Sequence, residues 1–190
     1  RADVLRALAR DVLARNVDWP AIRPLWQARV DRMAARFVMG EARRQRLATP
    51  TAFERRGMLR LPELGFELVG KLDRIDLSPD GTARVYDYKT GAPPTAAVQK
   101  AFDKQLLLEA AMIEAGGIEG MGPMPVVEAT YLGLGPEAPE VPAPIETVSA
   151  QQTCADLALL IGAYRDAAQG YPSRNASFSA RDVGDYDHLA

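Results

Sequence analysis

The chain has 190 residues, 47% hydrophobic and 25% charged, with a formal net charge of −2, an ordinary globular composition that excludes a disordered or low-complexity polypeptide. No apolar run approaches the roughly 18 residues needed to cross a bilayer, and no secretory leader pattern opens the sequence, so the expectation is a cytoplasmic protein without a membrane partner. The single Cys154 excludes an internal disulfide and a cysteine-held zinc or iron–sulfur site, so any metal would be held by oxygen.

Helical spacing of Val4, Leu5, Leu8, Val12 and Leu13 predicts an amphipathic helix over 2–16, closed by Trp19-Pro20. The chain enters this periodicity directly after Arg1, without a methionine, and is expected to be excised from a longer polypeptide. A second helix is predicted over about 24–47, with Leu25, Val30, Met33, Phe37 and Val38 as its inner face and Thr49-Pro50 as its stop. Residues 29–60 hold nine arginines against three acids, a local excess of six positive charges. That run reads equally as a solvated helix face or as a phosphate-contacting patch, in a chain whose overall acidity argues mildly against free-standing nucleic-acid binding.

The texture then changes. Strands are predicted over 53–61, 66–77 and 83–89, separated by Pro62-Glu63 and by the turn residues Ser78 to Thr82. Gly91-Ala92-Pro93-Pro94 ends the third, a helix follows over 96–115 to Gly116-Gly117, and a strand over 126–134. The Pro-rich stretch 136–144 reads as a loop, and a last helix over 150–169 stops at Gly170-Tyr171-Pro172. The order implies one α/β domain over 1–190 with a mixed central sheet flanked by helices: N-terminal helices in 1–50, sheet and helix in 51–135, loop and closing helix in 136–190.

Side chains two apart on a strand share a face, so Asp87 and Lys89 point the same way. If Ser78 to Thr82 form the turn, Leu77 pairs with Ala83, and the register run back along both strands sets Asp73 opposite Asp87. Opposed carboxylates about 5 Å apart repel and need a positive partner. A hard divalent cation, Mg²⁺ or alternatively Mn²⁺, fits, because one or two carboxylates hold it and leave positions for water and phosphate. An ammonium beside that ion, here Lys89, suits phosphodiester hydrolysis by orienting the water or stabilising developing charge.

The segments Gly70-Lys71-Leu72-Asp73-Arg74-Ile75-Asp76 and Val85-Tyr86-Asp87-Tyr88-Lys89-Thr90-Gly91 resemble the RecB-like nuclease domains of the PD-(D/E)xK superfamily, and most closely the C-terminal part of bacterial AddB subunits. The resemblance covers about 65–134 well, extends to the closing segment Asp185 to Ala190, and is loose over the N-terminal helices. It implies a restriction-endonuclease-like core, metal binding by Asp73, Asp87 and the Tyr88 carbonyl, and catalysis by Lys89. It also implies DNA, single-stranded or at a duplex end, as substrate, and an AddA-like helicase–nuclease subunit as partner in double-strand break repair.

Gln105 falls on the apolar stripe of Ala101, Leu108 and Met112 and needs a polar partner there. Gln105-Leu106 matches the family's Q-L motif, with Glu109 where tyrosine is common, which makes Gln105 a candidate to contact the site or DNA. Relatives also place a metal-binding His or Glu on a helix before the strands. Glu41 is the candidate here, with Glu54 behind it, against the competing assignment of an ion pair with Arg43 or Arg44. His188, the only histidine, is read as structural, and Cys154 as a small core residue. Several AddB proteins carry a four-cysteine iron–sulfur cluster, which this chain cannot hold with Cys154 alone, so a cluster-free branch is implied. The alternatives are a catalytically inactive nuclease-fold scaffold or DNA-guiding module, and a stand-alone Cas4-like exonuclease, which the cysteine count disfavours.

Overall fold

The computed structural model describes residues 1–137 and 139–170. The closing segment 185–190 and His188 lie outside the described residues, as does the stop expected at Tyr171-Pro172. Helices α1 (Ala2–Asn16) and α2 (Arg23–Leu47) form the N-terminal pair, joined by a short 3₁₀ turn, Pro20–Ile22. Strands β1 (Thr49–Leu61), β2 (Phe66–Leu77) and β3 (Ala83–Lys89) follow as an antiparallel meander. Two short helices, α3 (Ala96–Ala101) and α4 (Gln105–Glu114), lead across to β4 (Val126–Gly133), parallel to β3. Strand β5 (Glu140–Pro142) then pairs antiparallel with β4, and α5 (Ala150–Ala163) is the last helix of the described residues. The result is a mixed five-stranded sheet in the order β1-β2-β3-β4-β5, flanked by helices, the α/β fold expected.

Strands β2 and β3 begin and end where the alternation and turn residues place them. Their connection closes on the hydrogen bonds Ser78 N–H to Thr82 O (2.9 Å) and Gly81 N–H to Ser78 O (3.0 Å). The Asp80 carboxylate accepts from the Thr82 N–H at 3.0 Å, and Gly81 supplies the positive φ of 84° that the turn requires. This turn sets the register Leu77↔Ala83 through Arg74↔Tyr86.

Besides β1, which begins at Thr49 rather than at Phe53, three boundaries differ from expectation. The Pro-rich stretch is not all loop: Glu140–Pro142 add an edge strand, where Pro142 is tolerated. The last helix ends at Ala163 rather than 169. The helix expected over 96–115 is broken at 102–104. There the Asp103 carboxylate accepts from the Gln105 N–H at 3.3 Å, while the Lys104 ammonium donates to the carbonyls of Gln99 and Lys100 at 2.7 and 2.8 Å. One side chain thus serves the free N–H groups that start α4 and the other the free carbonyls that end α3.

The core lies between the sheet and α4, built from Leu72, Ile75, Val85, Leu106, Met112, Ile113, Ile118 and Tyr131. The end of α4 is pinned to β1 by the Met58 N–H donating to Gly117 O at 2.9 Å. A Cβ on Gly117 would come within 1.8 Å of Met58 O, so only glycine permits this approach. Among the described residues no helix is long and apolar enough to cross a membrane.

Candidate active site

The two faces of β3 carry different chemistry. Because alternate residues point opposite ways, Val85, Asp87 and Lys89 face α4, whereas Tyr86 and Tyr88 face α2. On the α4 side Gln105, the first residue of α4, meets the strand. Its Nε2 donates to Asp87 Oδ1 at 2.5 Å and to Glu109 Oε1 at 2.9 Å, and its Oε1 accepts from Lys89 Nζ at 2.8 Å. Lys89 Nζ also lies 2.8 Å from Asp87 Oδ2 and 5.3 Å from the centre of the Tyr131 ring. Tyr131 in turn hydrogen-bonds Asp103, so the helix break, the ring and the ammonium form one supported unit.

Asp73 reaches this group from the end of a ladder. The β2/β3 pairing stops at Arg74↔Tyr86, one step short of the expected Asp73–Asp87 pair, and Asp73 Oδ2 instead accepts from the Tyr88 N–H at 2.9 Å. The cause is local. Gly70 faces Met112 of α4, and Ile75, paired with Val85, faces α4 as well, so the alternation slips once between them. On β1 the facing residue is Glu54, flanked by the pairs Phe53↔Arg74 and Arg55↔Leu72 and held at a left-handed φ of 50°. A non-glycine residue in that region is strained, and such strain concentrates where a backbone is bent for a purpose.

Burial pushes the Asp87 carboxyl upward, opposed by Lys89 and reinforced by the charge of Asp73. Glu109, 6% exposed, is driven further: burial, with the charges of Asp87 and Asp73, lifts it to about 7 against the lowering effect of Gln105 and Lys89. Glu109 Oε2 is buried without a hydrogen bond, and Asp87 Oδ2 has only its ion pair with Lys89. Three carboxylates against one ammonium leave an uncompensated negative charge in a partly dry place.

These donors suit a hard divalent cation. Among the described residues no three His, Cys, Asp or Glu side chains converge into a ready-made cage. Mg²⁺ does not demand one, since it is held by one or two carboxylates and keeps waters and substrate oxygens for the rest. The unpartnered Glu109 Oε2, beside an Asp87 carboxylate whose Oδ2 has Lys89 alone, is the observation that such an ion would answer.

The structure therefore brings together Asp73, Asp87, Lys89 and Gln105, and places the Tyr88 backbone among them. It does not bring Glu41. That carboxylate lies on the α2 side, where its two oxygens accept from Arg74 at 2.7 and 3.0 Å and one also from Arg44 at 3.3 Å. Burial alone would raise it, but Arg74, with Gln45 and Arg44, holds it below the usual carboxylate range. Strand parity separates Glu41 from that group: Arg74, its partner, points away from Asp87. Glu54, the reserve candidate, is exposed and ion-paired with Lys71. Glu109 is the residue that sequence reasoning passed over. An acid that interrupts the apolar run Leu106–Ile113 is the signal that finds it.

Comparison with known proteins agrees with this geometry. Residues 1–182 match the family model of the PD-(D/E)XK nuclease superfamily.

The chain belongs to the PD-(D/E)XK nuclease superfamily.

It is also similar to uncharacterized proteins of Rickettsia. One, from Rickettsia felis, is 28% identical over 111 residues, 57% of this chain and 13% of that protein. Another, from Rickettsia conorii, is 30% identical over 95 residues, 48% of this chain and 11% of that protein. The matched segment is thus a small part of far longer relatives.

Proposed function

We propose that this chain is a divalent-metal-dependent DNA nuclease that hydrolyses phosphodiester bonds at the group formed by Asp73, Asp87 and Lys89, with Mg²⁺ as the ion and Mn²⁺ as its substitute. The observation that carries the reading is the position of Lys89 Nζ, 2.8 Å from both Asp87 Oδ2 and Gln105 Oε1, in a group that also holds the unpartnered Glu109 Oε2. Asp73, Asp87 and the Tyr88 carbonyl would hold the ion, which when bound polarises the phosphate and acidifies an attacking water. Lys89 supplies a fixed positive charge beside the negative charge that develops on the phosphate oxygens. Without an ion Gln105 holds Lys89 in place by accepting a hydrogen bond from its ammonium, and Tyr131 gives the ammonium a flat, apolar support.

The wider setting we infer is a helicase–nuclease of the AddAB or RecBCD type that processes broken duplex ends, with an AddA-like subunit as partner. What supports it is the resemblance of the Asp73 and Asp87 segments to that group and the far greater length of the relatives. These residues contain no G-x-x-x-x-G-K-[ST] phosphate loop, so ATP-driven motion would be supplied by other parts of such an assembly. The arginines of 29–60 are a weaker support for DNA contact than their number suggests. Arg36, Arg43, Arg44 and Arg60 are each committed to a glutamate.

The test is cutting of end-labelled single-stranded DNA by the chain with Mg²⁺ or Mn²⁺, beside Asp87→Ala and a chelator control. Cutting lost in both supports the reading. No cutting under any condition by a folded chain that retains DNA binding favours the inactive guiding module instead.

A further inference from the structure

We propose that Glu109 is a ligand for a divalent cation seated between its carboxylate and that of Asp87, and that the Gln105 amide fills this place when no ion is bound. The inference rests on the metal-dependent reading above and adds a residue to it.

Glu109 is 6% exposed, and its Oε2 has no hydrogen-bond partner. Its neighbours in α4 are Leu106, Leu107, Ala110, Ala111, Met112 and Ile113, all buried, so packing alone gives no reason for a carboxylate. A buried acid left half-satisfied costs stability unless its chemistry is used. What faces it is a single amide. Gln105 Nε2 touches Glu109 Oε1 at 2.9 Å and Asp87 Oδ1 at 2.5 Å, so one NH₂ group bridges two carboxylates. A point that donates to two buried anions is the point a small cation would prefer, because a neutral amide offers only partial charge to both. The anions around this place are Asp87, Glu109 and Asp73, and the cation is Lys89.

The helix allows the exchange. Gln105 and Glu109 stand four apart on α4, so they rise from one face of the helix, one turn from each other. Gln105 is in the first turn, and its side chain can rotate away without moving the backbone that holds Glu109. Its departure frees Asp87 Oδ1 and Glu109 Oε1, which join the unbonded Glu109 Oε2 as oxygen donors of the kind a hard cation takes.

The test is Mn²⁺ uptake by the full chain without DNA, followed by loss of the free-ion paramagnetic resonance signal and, independently, by the rise in melting temperature on adding Mn²⁺. Glu109→Gln keeps the shape and removes the charge, and its melting in chelator shows that it folds. Expected are Mn²⁺ binding at least about tenfold weaker in Glu109→Gln, a smaller thermal shift, and binding at least as tight as wild type in Gln105→Ala, where the competing amide is gone. Wild-type affinity in Glu109→Gln alongside lost binding in Asp87→Asn overturns the role of Glu109 and leaves the nuclease reading standing. Weakening in Gln105→Ala equal to that in Glu109→Gln makes the amide a ligand rather than a placeholder and also overturns the proposal. No Mn²⁺ uptake by the folded wild type contradicts both readings.

Discussion

The two faces of β3 hold buried charge in opposite ways. Toward α2, Arg74 donates to both oxygens of Asp76 at 2.6 Å, to both oxygens of Glu41 and to the Tyr88 hydroxyl at 3.1 Å, while Arg44 joins Glu41 to Glu140. The Arg74 and Arg44 guanidiniums both stack on Tyr86. Burial would lower Arg74, but these hydrogen bonds keep it firmly protonated. Toward α4, three carboxylates share one ammonium and two buried oxygens lack hydrogen bonds. Toward α2 the carboxylates of Asp76 and Glu41 are each paired with a guanidinium and the group left without a hydrogen bond, the Tyr86 hydroxyl, is neutral, whereas toward α4 the unpartnered oxygens belong to carboxylates and leave surplus negative charge for a cation. The same strand thus separates a layer of paired charges from one with surplus negative charge by the alternation of its side chains.

Breaking each layer should therefore have a different outcome. Lys89→Met is expected to slow DNA cutting by about a thousandfold, or about 4 kcal/mol in the barrier, while thermal unfolding falls by less than in Arg74→Met because Lys89 is more exposed than Arg74; steady-state cleavage and melting measured together check this. Arg74→Met is expected to do the reverse first. It strands Asp76 as an unpaired buried acid and leaves Glu41 to Arg44 and Gln45, which should cost about 3 kcal/mol in denaturant unfolding, and any loss of cutting should follow the loss of folded protein.

Acidity sharpens the contrast further. Glu109 goes from 4.5 when unfolded to about 7 when folded, so the folded state prefers its protonated form. In chelator, that contribution to stability is full below pH about 4.5 and is lost as the pH rises through about 7. Asp87, raised in the same way, adds to the trend, and Glu41, lowered, opposes it. Urea unfolding of wild type and Glu109→Gln across this range should diverge by about 2 kcal/mol, with the variant flatter. The smallest effect is expected at Lys71→Ala. Its partner Glu54 is as exposed as Lys71 itself, so melting should not change measurably.

Much of the fold was legible because it follows from local rules. Alternation and the Ser78 to Thr82 turn determine β2, β3 and their register, and the register carries Asp87 and Lys89 to one face. What was not legible depends on tertiary docking. Glu41 lies on a helix whose side of the sheet no periodicity reveals, and its acid was claimed by Arg74, whose Arg-x-Asp spacing with Asp76 could have signalled a strand-face pair. Asp73 departs from simple opposition where β2 runs opposite Glu54, whose left-handed φ no glycine announces. The edge strand Glu140–Pro142 forms in spite of its prolines because β4 offers it a free edge. Gln105 was found for its polarity on an apolar stripe, although Ala101 belongs to a separate helix. Glu109 was treated as a replaced tyrosine rather than as a charge that needs a partner.

The most direct measurement is the anomalous scattering of Mn²⁺ in crystals of the chain. A peak on the α4 side of β3, within ligand distance of the Asp87 carboxylate and near Asp73 and Lys89, is the expected result. A peak against Glu41 on the α2 side, or none at saturating Mn²⁺ with Asp87 accessible, would contradict the division of the two faces.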